Sequence, residues 1–101
     1  MLTLDDLERS VAADDAPPPG LDPLLQALWW DCKGDWSRAH DMVSLDEGRK
    51  AARVHAYLHR REGDLGNAGY WYRRAGQAIA TDALADEWRR LAGDLLAGDP
   101  A

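Results

Sequence analysis

His55 and His59 stand four residues apart, just over one helical turn, so both imidazoles leave the same side of a helix and can reach a common point. Two histidines at that spacing can share a metal ion, donate ring N–H groups to carboxylates or carbonyls, or move a proton. Glu62 follows three residues later and can orient His59, and His40 is the third histidine of the chain. The run His55-Ala56-Tyr57-Leu58-His59 lacks the Glu that zinc proteases carry directly after the first His. Two helical histidines do not complete a ligand set, so the sequence alone assigns no metal ligand and no cofactor. Catalysis is left open, with His59 as general base and Glu62 orienting it, but a nucleophile is missing. Cys32 falls on the apolar side of its helix with Leu25 and Leu28, and no Ser sits in a nucleophile turn. The simplest expectation is structural: the two imidazoles hydrogen-bond to acids or carbonyls and lock neighbouring helices together.

A second set of residues suits ligand binding. Asn67, Tyr70, Trp71, Arg73 and Arg74 follow the histidines closely, and aromatic faces with guanidinium groups and an amide fit a small anionic or sugar-like molecule. A third set suits a protein surface. Trp29 and Trp30 are adjacent on a helix and point about 100° apart, so both cannot enter one core contact. Trp30, together with Tyr57, Arg60 and Arg61, is the candidate interaction surface, since Trp and Arg dominate interface energetics.

The elements that must position these residues are helices. The 101 residues are 46% hydrophobic, which suits one packed domain spanning 1–101, and no apolar run approaches the roughly 20 residues of a membrane span. Three Val, one Ile and two Thr leave little β-branched material for strands. Thr3 caps a first helix within 1–16, with Leu4, Leu7 and Val11 on one face, and Pro17, Pro18 and Pro19 open a linker over 17–22. Asp22 and Pro23 start a second helix that runs to Lys33 and stops at Gly34. Asp35 caps a short third helix through Val43. Ser44 and Glu47 have capping-box spacing, which predicts a fourth helix from there to Glu62, with Ala51, Val54, His55, Leu58 and Glu62 on its buried face and Tyr57 pointing elsewhere. Asp64 caps a fifth. After Thr81, Leu84, Trp88, Leu91 and Leu95 draw one apolar stripe along a last helix, with Arg89 and Arg90 facing away. Short connections force antiparallel neighbours, so the expected fold is all-α: a compact array of five or six short helices, with repeat-like hairpins over 23–62 and 63–97.

Charge is unevenly spread along the chain. The net charge is −6, yet residues 49–74 hold seven basic and two acidic side chains, while 1–48 hold three and eleven. Net acidity excludes nonspecific nucleic-acid binding, and the basic centre is where an anionic ligand would go. Acids in the N-terminal MLTLDDLERS and a lone Cys make the cytoplasm the expected location.

The chain also repeats itself. Gly34, Asp35, Trp36 and Ala39 match Gly63, Asp64, Leu65 and Ala68 at an offset of 29 residues. In each, Gly ends one helix, Asp caps the next, an apolar residue enters the core and Ala allows close approach of two backbones. The second copy, with Tyr72 and Ala75 following, resembles the tetratricopeptide repeat. The first departs from that pattern, with Val43 in place of the aromatic residue and Asp46 in place of the last small one, and the offset is shorter than the usual period of about 34. His55 and His59 also stand where that repeat would bury Leu and Tyr. In addition, His55 to Gly76, HAYLHRREGDLGNAGYWYRRAG, together with Ala27 to His40, ALWWDCKGDWSRAH, resembles a family of small uncharacterised bacterial proteins. The two stretches cover 36 residues. That family brings no assigned activity, so the resemblance implies no catalytic residue and marks the central hairpin as the signature.

These readings converge on a non-enzymatic helical interaction module that binds a protein partner or a second copy of itself. The alternative is a small-ligand- or metal-binding protein, or a hydrolase-like enzyme, whose site draws on His40, His55, His59, Glu62, Asn67, Tyr70, Arg73 and Arg74.

Overall fold

Four of the helices begin at a side-chain cap: Thr3, Asp22, Asp35 and Asp64. The computed structural model describes residues 2–98, and among these there are six helices and no strand. They are α1 (Leu4–Ala13), α2 (Pro23–Lys33), α3 (Trp36–Val43), α4 (Arg49–Arg61), α5 (Leu65–Ala75) and α6 (Leu84–Ala97). Thr3 and Asp6 form a reciprocal capping box at the start of α1. Asp22 accepts from the Leu24 N–H ahead of Pro23, and Gly34 ends α2 in the left-handed conformation.

The repeated Gly-Asp turns are the same backbone structure built twice, but only Trp36 packs on the core; Leu65, expected to enter it too, is 68% exposed. Gly34 and Gly63 have φ of 102° and 87°. Their N–H groups donate to the carbonyls of Asp31 and Arg60, and the N–H groups of Asp35 and Asp64 donate to those of Trp30 and His59. The side chains of Asp35 and Asp64 then accept from the N–H groups of Arg38 and Asn67, three residues on. This closes α2 against α3 and α4 against α5 as two helical hairpins. Ala39 and Ala68 are buried in the corresponding positions.

One boundary differs from the sequence-based expectation. Ser44 does not open α4; its hydroxyl turns back onto the Asp41 carbonyl, and it ends α3. Asp46 Oδ1 accepts from the Gly48 N–H instead, and α4 starts at Arg49 without a side-chain cap. The last helix starts at Leu84, after Ala83.

α4 is the axis of the molecule and packs against α2, α3, α5 and α6. Its residues Val54 to His59 are all buried, including Tyr57 at 1% exposure, so Tyr57 does not belong to a free face. Val54 to His59 span more than one and a half turns, so this stretch of α4 is packed all round although Arg49 and Arg61 at its ends are exposed. The main core gathers Leu7, Leu28, Trp29, Val43, Leu58 and Leu91. The proline linker lets α1 return over α2, where Trp29 donates to Ser10 Oγ at 2.9 Å and Lys33 to the Val11 carbonyl at 2.8 Å. Trp29 is therefore the enclosed member of the pair. Trp30 is half-buried at the edge of the core, with the Arg38 guanidinium 4.0 Å from its ring centre. α6 covers α1, α2 and α4, and the Trp88 indole donates to the Leu28 carbonyl at 2.9 Å. Arg89 does not stand free, since it is paired with Asp5 and Glu8 of α1. No helix among the described residues is long and apolar enough to cross a membrane.

Candidate functional site

The three histidines of the chain meet between the two hairpins. α3 supplies His40 and α4 supplies His55 and His59, and the ring centres are 4.7 Å (His40 to His55), 5.1 Å (His40 to His59) and 4.8 Å (His55 to His59) apart. Two tryptophans hold them. Trp36 stacks on His40 at 4.9 Å with an interplanar angle of 14°, and Trp71 stacks on His55 at 3.9 Å and the same angle. The indole N–H of Trp36 donates to the Leu58 carbonyl at 2.7 Å, which fixes that ring. Trp36 enters the site because it follows the Asp35 cap, and His40 lies four residues on, along the same helix face.

Hydrogen bonding constrains where the protons sit. His55 Nε2 and His40 Nε2 face each other at 3.0 Å, so one must carry a hydrogen and the other a lone pair. His55 is 4% exposed, and its Nδ1 has no hydrogen-bond partner among the described residues. His59 is oriented by Glu62: Nδ1 lies 2.6 Å from Glu62 Oε1 and donates to it, which leaves the lone pair on Nε2, 3.3 Å from the Asn67 amide nitrogen. Burial and the neighbouring His40 and His59 lower the His55 pKa to about 4, so this imidazole is neutral at physiological pH.

One nitrogen from each of His40, His55 and His59 lies within 4.8 Å of the others. A tetrahedral ion holds imidazole nitrogens at about 2.0–2.1 Å, so shifts of under about 1 Å per ring would bring the three into range. Glu62 stands behind His59 as the acid that commonly orients a metal-bound imidazole. His59, Glu62 and Asp64 form a second group of three possible ligands, more exposed, that shares His59 with the first.

The other sequence candidates divide. Asn67 joins the site through His59, and Glu62 lies at its rim, more exposed than the buried face of α4 would have placed it. Tyr70, 45% exposed, packs edge-on against Trp71 and accepts from Arg74, whose guanidinium also covers Trp71. Arg73 is exposed without entering the histidine cluster. Arg60 does not sit on an interaction surface: it donates to Glu87 Oε1 at 2.7 Å and to the Asp82 carbonyl. Tyr72 donates to Glu87 Oε2 at 2.6 Å, so one buried acid ties α4, α5 and α6 together. Arg61 pairs with Asp31 at 3.0 Å. Cys32 is exposed and not on the apolar side of α2.

Sequence reasoning missed Asp31 and Glu87, which are 1% and 2% exposed. Glu87 lies in the first turn of α6, where an acid is ordinary, and only its partners reveal it. Asp31 sits next to two tryptophans and has no distinguishing neighbour in sequence.

No known protein family, no curated protein and no solved structure matches the chain.

Proposed function

We propose that this protein is a non-catalytic helical module that binds one divalent transition-metal ion of the zinc class through His40, His55 and His59. The observation that carries this reading is the convergence of three imidazoles from two hairpins, with one nitrogen of each within 4.8 Å of the others. An all-histidine donor set suits Zn, Ni or Cu and disfavours Mg and Ca, which take oxygen ligands. The His59–Glu62 pair supports it, because a carboxylate behind an imidazole fixes the tautomer that presents Nε2. The ion would join α3 to α4, and therefore hairpin to hairpin, so binding couples to stability.

The test is metal content and calorimetric titration of the purified, chelator-stripped protein with zinc, nickel and copper(II). One ion per chain with Trp fluorescence changed by the paramagnetic ions, through Trp71 stacked on His55, supports the reading. Absence of stoichiometric binding overturns it.

A further inference from the structure

His59 has one nitrogen left to offer an ion, and the protein already covers it. Nδ1 donates to Glu62 Oε1 at 2.6 Å, so the lone pair sits on Nε2, and the Asn67 amide nitrogen lies 3.3 Å from Nε2. A zinc-class ion takes an imidazole lone pair at about 2.0–2.1 Å. On the line from Nε2 to the amide it would stand little more than about 1 Å from the Asn67 nitrogen, so ion and amide exclude each other. The neighbouring pair is closed in the same way, since His40 Nε2 and His55 Nε2 share one hydrogen at 3.0 Å.

The position of Asn67 makes its departure easy. It is the third residue of α5, and Asp64 Oδ1 holds its backbone N–H, which fixes the main chain beside His59 and leaves the side chain to turn. Asn67 is exposed, so the amide exchanges the imidazole for water without leaving a donor unsatisfied. Zinc takes thiolate, imidazole and carboxylate, and a neutral amide oxygen is not among these donors, so the amide swings out and does not turn round to ligate. An acid at this position would have joined the donor set; the amide instead donates to the metal-free imidazole.

We propose that Asn67 is a latch on the metal site: its amide caps the His59 Nε2 lone pair in the metal-free protein and gives way when an ion of the zinc class binds. The latch rests on the metal reading above. A hydrogen bond made only in the metal-free state stabilises that state and weakens the apparent affinity for the ion by the same factor. Asn67 thereby sets how much free metal the site needs before it fills, and with Glu62 it holds His59 in the tautomer that can ligate.

The experiment is zinc competition against a chromophoric chelator, together with long-range ¹H–¹⁵N spectra of the imidazoles, on the full chain and its Asn67→Ala variant. The variant keeps the Asp64 cap, which uses the backbone N–H, and binds zinc about 2–10-fold more tightly, the worth of one hydrogen bond that no longer has to break. In the metal-free variant the His59 Nε2 resonance moves to that of an unbonded lone pair, while the zinc-loaded wild type and variant share the same His59 resonances. Zinc uptake by the wild type with equal or weaker affinity in Asn67→Ala overturns the latch and leaves the metal site standing. A His59 Nε2 resonance that the substitution does not move in the metal-free protein overturns the latch as well. Absence of zinc uptake by both proteins overturns the metal reading and the latch together.

Discussion

The Nε2 atoms of His40 and His55 face each other across the hairpin interface at 3.0 Å, so a single hydrogen must serve both. The proposed metal ion would take the place of that shared hydrogen, so His40 has a role in both the metal-free and the metal-bound protein. Substituting His40, half-buried but stacked on Trp36 and in hydrogen-bond contact with the buried His55, destabilises the metal-free protein by about 1–3 kcal/mol. Zinc affinity of His40→Gln falls by more than the about 10–100-fold loss of Glu62→Gln, whose side chain orients a ligand and does not bind the ion. Competition against a chromophoric chelator measures both.

The metal-free protein is acid-sensitive through His55. Its pKa is lowered from 6.5 to about 4 on folding, so the unfolded chain binds more protons between those values. The associated stability is fully present above pH 6.5 and is lost as pH falls towards 4, by at most about 3 kcal/mol. Asp31 acts in the opposite sense: its pKa is raised, so protonation in acid relieves the folded state. Urea titrations in the presence of a chelator show the loss in the wild type and a flatter profile in His55→Gln.

Glu87 serves two partners at once, Arg60 at 2.7 Å and Tyr72 at 2.6 Å. Glu87→Ala leaves a largely enclosed guanidinium without its acid and destabilises by about 3–5 kcal/mol. Tyr72→Phe removes one hydrogen bond to a charged group and costs about 1.5–3 kcal/mol. The double substitution costs less than the sum, since both remove the same contact. Equilibrium denaturation of the three variants checks the coupling.

Two glycines respond oppositely to alanine. Gly63 has φ of 87° between α4 and α5, so Gly63→Ala destabilises by about 1 kcal/mol or more. Gly93 lies inside α6 with open space where a Cβ would go, and Gly93→Ala stabilises by about 0.5–1 kcal/mol. Melting temperatures moving in opposite directions confirm the pair.

Local chemistry made most of the fold legible. The Asp22-Pro23 start, the Gly34 and Gly63 stops and the Asp35 and Asp64 caps each act within a few residues of chain, and each appears in the structure as the spacing implies. Ser44 misled because its hydroxyl finds the Asp41 carbonyl in the α3 turn behind it, and α4 starts only after the Asp46–Gly48 turn. The histidine pair was legible through its helical period, whereas its meeting with His40 depends on how α3 packs on α4, which no spacing encodes. Tyr57 and Arg60 looked free because residues beside a polar face usually are; α6 covers them, and its partners Glu87 and Trp88 lie some 30 residues away in sequence. Asp31 was invisible for the same reason, since its burial comes from helices on either side of α2.

The central claim is tested most directly by zinc competition on the chelator-stripped wild type and on His40→Gln, His55→Gln and His59→Gln. One zinc per wild-type chain, with each single substitution weakening it and all three together abolishing it, is the predicted result. A wild-type protein that takes up no zinc in competition, or binding that survives the loss of all three histidines, contradicts the account.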